Sequence, residues 1–131
     1  MAEKMNIIRK EILAAMKSFK ADPAGVEAIF SFSQDFSGFK GHFPENPILP
    51  GICQVQAAML ILEAWKKQEF KMEELVSAKF YSPVSVNEEI FFKGSLAPQS
   101  DSIVKFKVTA KDRKVADLKL KFSPIKHIDT I

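Results

Sequence analysis

His42 is one of two histidines in the 131 residues, and it stands in the run Gly41-His42-Phe43-Pro44-Glu45-Asn46-Pro47-Ile48-Leu49-Pro50-Gly51. Prolines fix φ and stiffen the loop, while glycine lets a ligand approach the backbone closely. Pro50-Gly51 sits where the loop gives way to an apolar stretch that reads as a helix. The exposed N–H groups of a helix start favour an oxygen carrying negative charge. An imidazole beside such donors suits enolate or oxyanion chemistry on a thioester carbonyl. A hydrogen-bonded loop anchor is the alternative reading of His42. The neighbours offer less. Glu45 reads as a solvated loop residue, and Cys53 as a small buried apolar one, since nothing cationic is placed to lower its pKa. Glu63 lies two helical turns, ~10 Å, beyond Gln56 and marks the helix's exit to solvent. Gln54 points to another side of the helix than Gln56, and His127 lies in the C-terminal tail.

Local elements must hold that loop. Met5, Ile8, Ile12, Met16 and Phe19 recur at helical spacing, so the first twenty residues predict an amphipathic helix. Asp22-Pro23-Ala24-Gly25 stops it, and Val26, Ala28, Phe30 and Phe32 alternate as in a strand. From Gly51 to Leu62 no residue is charged, so this helix must be buried nearly all round. Residues 75–81, 84–86, 90–96, 103–110 and 116–122 read as strands, the last two joined by a turn near Asp112-Arg113. A buried helix followed by antiparallel strands is an α+β arrangement, with the sheet curled around the helix.

Composition narrows the function classes. The length is that of one domain, 1–131, and 47% hydrophobic with 27% charged residues excludes disorder. No apolar stretch approaches the ~20 residues of a membrane span, and residues 1–4 do not open a secretory signal. With one cysteine and no internal disulfide, the expectation is a cytoplasmic protein. The net charge is +3, but Arg9 and Arg113 are the only arginines, and Lys105, Lys107, Lys119 and Lys121 alternate with apolar residues as on a solvated strand face. That pattern points away from nucleic acid and leaves an acidic protein partner open.

The run GHFPENPILPG followed by an apolar helix resembles the 3-hydroxyacyl-acyl-carrier-protein dehydratases of the hotdog fold, the FabA/FabZ family. The resemblance extends through Ala78-Lys79-Phe80-Tyr81-Ser82-Pro83-Val84 and Asp112-Arg113-Lys114-Val115-Ala116-Asp117-Leu118, over residues 26–124. It implies a curved antiparallel sheet around a long central helix, with an extra helix at the N-terminus. It implies that His42 removes the proton α to the thioester and that the backbone donor near Gly51 receives the carbonyl oxygen. The family's acid falls fourteen residues after the histidine, at Gln56, where an amide can orient a hydroxyl but cannot titrate. Phe43, Ile48, Pro50, Val55, Met59 and Phe80 would line the acyl site. The resemblance further implies a substrate carried by acyl carrier protein or coenzyme A, no metal or other cofactor, and a homodimer or trimer of dimers. Two other readings accompany it. One is an acyl thioesterase in which glutamine orients water; the other is a catalytically weakened paralogue that binds acyl carrier protein.

Overall fold

The computed structural model describes residues 2–40 and 46–126. A helix, α1 (Ala2–Ala14), precedes two strands, β1 (Met16–Asp22) and β2 (Gly25–Ser31). A short 3₁₀ turn (Ser37–Phe39) leads towards the central helix α2 (Gly51–Lys66). Four strands complete the chain: β3 (Phe70–Phe80), β4 (Glu89–Leu96), β5 (Ile103–Ala110) and β6 (Arg113–Pro124). All six form one antiparallel sheet in the order β1-β2-β4-β5-β6-β3.

The alternation along each strand sends one set of side chains to the concave side. Phe30 on β2, Phe92 on β4, Phe106 on β5 and Leu118 and Leu120 on β6 meet the buried residues of α2 there. Gly94 makes room for this packing, because a β-carbon there would stand 2.4 Å from Cε1 of Phe106 directly opposite. Helix α2 ends in a left-handed Lys67, φ 54°. On its flank lies α1, whose Ile12 is fully buried and whose Arg9 pairs with Glu63 at 2.8 Å. This curved sheet enclosing a helix is the hotdog fold.

The expected first helix is too long. It ends at Ala14, and Met16 and Phe19 belong to β1. Met16 and Phe19 are three apart as in a helix, but Phe19 and Ala21 also alternate with Ser18 and Lys20, and the strand's pairing shifts register between Met16 and Ser18. Pairing with β2 decides for the strand, closed by Asp22, whose Oδ1 accepts the N–H groups of Ala24 (2.7 Å) and Gly25 (3.0 Å). The expected strand at 84–86 is a loop, and its one bridge, Ile48 to Ser85, is isolated and lies outside the sheet. Its apolar character comes from burying Val84, and Asn87 at φ 64° turns the chain away.

Strand β3 is the long open edge. Met72, Leu75, Ala78 and Phe80 share the concave face with the β6 residues opposite them. Met72, Leu75 and Phe80 are nevertheless 36%, 40% and 49% exposed among the described residues. Two irregularities, at Glu73 and Val76, interrupt this strand's pairing.

Candidate functional site

Pro50 is the N-cap of α2, and among the described residues no side chain caps the helix start. No acidic residue stands in the first turn, so the positive end of the helix dipole is not neutralised there. Gly51 is the first helical residue, and the Phe80 ring closes over it: a β-carbon on Gly51 would lie 2.7 Å from Phe80 Cζ. Only glycine lets the end of β3 approach the helix start this closely.

The next residue, Ile52, is 59% exposed, and Gln56, about one turn beyond it, is half-buried. They are four residues apart and share a face. From Gly51 to Leu62 the helix is buried nearly all round, as expected, apart from the exposed Ile52 and the half-buried Gly51 and Gln56. Gly51 and Phe80 meet where α2 begins and β3 ends, and Gln56 is half-buried further along the same helix. Ile48 and Pro50 are half-buried on the approach to it, and Ile48 is fixed by its bridge to Ser85. Val55 and Met59 are buried in the core. His42, Phe43 and Glu45 lie outside the described residues.

Among the described residues two side chains bury an oxygen without a partner, Glu11, which the sequence reading did not mark, and Gln54. Glu11 of α1 accepts hydrogen bonds through Oε1 from the Ser37 N–H (3.2 Å) and hydroxyl (3.0 Å), while its Oε2 is buried without a partner. Its position between Ile8 and Ile12 was the available signal: an acid flanking the buried side of an amphipathic helix must find donors. Gln54, 3% exposed, leaves its Oε1 unpaired inside the core. Burial, and then the Glu11 charge, push the Cys53 thiol up to about 11. Cys53 is thus a protonated core residue, as its apolar surroundings in the sequence imply.

The loop at 81–88 is tied down by Arg113. Its guanidinium grips Glu88 with two nitrogens, donates to the Pro83 carbonyl (2.7 Å) and, through Nε, to Ser82 Oγ (3.1 Å). This secures the segment immediately after Phe80 and supports the backbone at Val84, whose carbonyl accepts the Leu49 N–H at 2.9 Å. Sheet, loop and helix start are thereby braced together.

A family model described as ApeI-like, ApeI dehydratase, matches residues 18–119. The chain belongs to the ApeI-like dehydratase family. Solved structures of the same fold surround it at low identity. The dehydratase heterocomplex ApeI:P from Xenorhabdus doucetiae matches with a TM-score of 0.73 and 18% identity, over 82% of this chain and 95% of that one. An uncharacterized protein from Erwinia carotovora subsp. atroseptica matches at 0.65 and 23% identity, over 84% and 93% of the two chains. A hypothetical thioesterase protein with coenzyme A from Streptococcus pneumoniae matches at 0.58 and 12% identity, over 94% and 99%. No curated protein matches the sequence. For an ApeI-like dehydratase, α1 is the element that lies wholly outside the matched span. No helix among the described residues is long and apolar enough to cross a membrane.

Proposed function

We propose that this ApeI-like protein is a FabA/FabZ-type dehydratase, or reversible hydratase, acting on 3-hydroxyacyl thioesters of acyl carrier protein or coenzyme A. The carrying observation is the Gly51–Phe80 contact at a helix start whose first turn carries no acid, with the half-buried Gln56 further along the same helix. The thioester carbonyl oxygen is received by the Gly51 N–H, where enolate charge develops as the α-proton leaves. His42, in the adjoining loop, takes that proton as general base. Gln56 is an amide and supplies no proton, so it orients the β-hydroxyl. The imidazolium formed on His42 then returns the proton to the departing hydroxyl, which leaves as water, and the double bond forms. The protons balance without a second acid.

The half-covered face of β3 supports pairing with a second chain along that edge. An open edge strand with exposed concave-side apolar residues is a liability unless another strand covers it. Such pairing would cover Met72, Leu75 and Phe80 and close the partly open side of α2.

The test mixes the purified protein with 3-hydroxybutyryl and crotonyl thioesters and follows enoyl absorbance against release of free thiol. Enoyl change without thiol release is expected. His42→Ala should lower the rate by ~10²–10⁴ while leaving the fold intact. Thiol release in its place would make the protein a thioesterase. Binding of acyl carrier protein with no turnover would make it a weakened paralogue.

A further inference from the structure

The outer side of the sheet carries lysines in a pattern that opposes folding. Lys93 on β4 stands directly opposite Lys107 on β5, and Lys105 on β5 directly opposite Lys119 on β6. The two rows continue onto β3, from Lys107 through Asp117 to Lys79 and from Lys105 through Lys119 to Ser77. Like charges directly opposite on one face of an antiparallel pair are destabilising. Among the described residues none of these five lysines forms an ion pair. Asp117, the one acid in the two rows on β5, β6 and β3, accepts the Tyr81 hydroxyl at 2.8 Å and lies 3.9 Å from Lys114 Nζ.

Between the rows lies a hollow of about 260 Å³, its rim formed by Ser77, Lys79, Lys105, Lys107, Asp117 and Lys119. Four lysines thus line the hollow against one engaged carboxylate. We infer that this hollow binds a compact phosphoanion bearing two or more charges, the group present in coenzyme A, in other nucleotides and in free pyrophosphate. Lysine ammonium groups are well suited to phosphate as mobile point charges. A hollow of this size fits a small anion better than the broad surface of an acidic protein. The site goes beyond the proposed reaction, since it needs neither His42 nor Gln56. It lies across the edge strand from the reaction: Lys79 faces outwards, while its neighbour Phe80 closes over Gly51.

Calorimetric titration of the full chain at low ionic strength with pyrophosphate, coenzyme A and pantetheine tests this. Pyrophosphate should bind, pantetheine should not, and added salt should weaken the binding. The double variant K105Q/K119Q should weaken pyrophosphate binding at least tenfold, and Lys79→Gln alone should weaken it measurably. Without ligand the double variant should melt no lower than the parent, because the opposed charges are gone. Coenzyme A binding much tighter than pyrophosphate identifies a nucleotide source; comparable or weaker binding identifies the free anion. Either supports the site. Absence of pyrophosphate binding at millimolar concentration, or binding unchanged in the double variant, overturns it. So does a double variant that loses binding of an acidic carrier protein but keeps pyrophosphate. Turnover of a pantetheine thioester, which lacks the phosphates, should be the same in parent and double variant. A parent that binds pyrophosphate yet has no turnover would refute the proposed reaction and leave this site standing.

Discussion

The Phe80 ring lies directly over Gly51, so close that a β-carbon on the glycine would reach within 2.7 Å of the ring. This contact joins the end of the edge strand to the first turn of the central helix. Gly51→Ala forces the two apart. The half-exposed ring can swing aside, so the fold should survive at a cost of about 1 kcal/mol in denaturant unfolding. The helix start should no longer be covered, and kcat/KM for a 3-hydroxyacyl thioester should fall about tenfold, as for loss of a positioned donor contact. Unchanged kcat/KM in a folded variant would remove Gly51 from the site.

Leu75 faces the concave side yet is 40% exposed on an open edge. A second chain pairing along β3 should therefore give twice the 14.7 kDa mass in light scattering. Leu75→Glu should shift that species towards monomer, because burying an unpaired carboxylate at the new interface is unfavourable. A parent that is monomeric at micromolar concentration would defeat this pairing and any site completed by it.

The Glu88–Arg113 pair makes a distinct acid-side contribution. The Arg113 hydrogen bond, first among the causes, holds the Glu88 carboxyl below the usual glutamate range. A depressed folded pKa means stability that is present above the unfolded value and lost as pH falls through the folded one. Glu88→Gln should therefore destabilise at pH 7 by about 1 kcal/mol. The difference from the parent should shrink only as pH falls through the lowered pKa of Glu88, where the parent's carboxyl also becomes neutral. A difference that stays constant through that fall would show that the carboxylate's charge is not what binds Arg113.

Much of this arrangement was legible in the residues. The uncharged run from Gly51 to Leu62 marked the central helix, and the alternation at 103–110 and 116–122 marked the final hairpin. Strand β1 was not legible, because Met16 and Phe19 are three apart, a helical spacing, and the pairing with β2 accommodates them only through an irregularity between Met16 and Ser18. The loop at 84–86 was hidden for a related reason: burial of Val84 requires an apolar residue without requiring a strand. In the site, the helix start at Gly51 was readable from Pro50-Gly51. The Phe80 contact was not, since residues 29 apart in sequence carry no local signal of meeting.

Gln56 offers the most discriminating change. It is half-buried, four residues after the exposed Ile52 and on the same face of α2, where a partner chain would shield it further. Glutamate has nearly the same shape as glutamine, so Gln56→Glu should fit without displacing α2. In a largely apolar setting the new carboxyl's pKa should rise, leaving part of it protonated near neutral pH. It would then be a proton donor to the leaving hydroxyl, relieving His42 of its second task. Dehydration of short 3-hydroxyacyl thioesters should rise about tenfold or more. The gain should fade as pH climbs and the carboxyl ionises, whereas parent activity should not show that loss. The cost in stability should be about 1–3 kcal/mol if the acid lacks a hydrogen-bond partner. A folded variant with no gain, beside a parent that turns over well, would mean that the hydroxyl departs elsewhere than over Gln56.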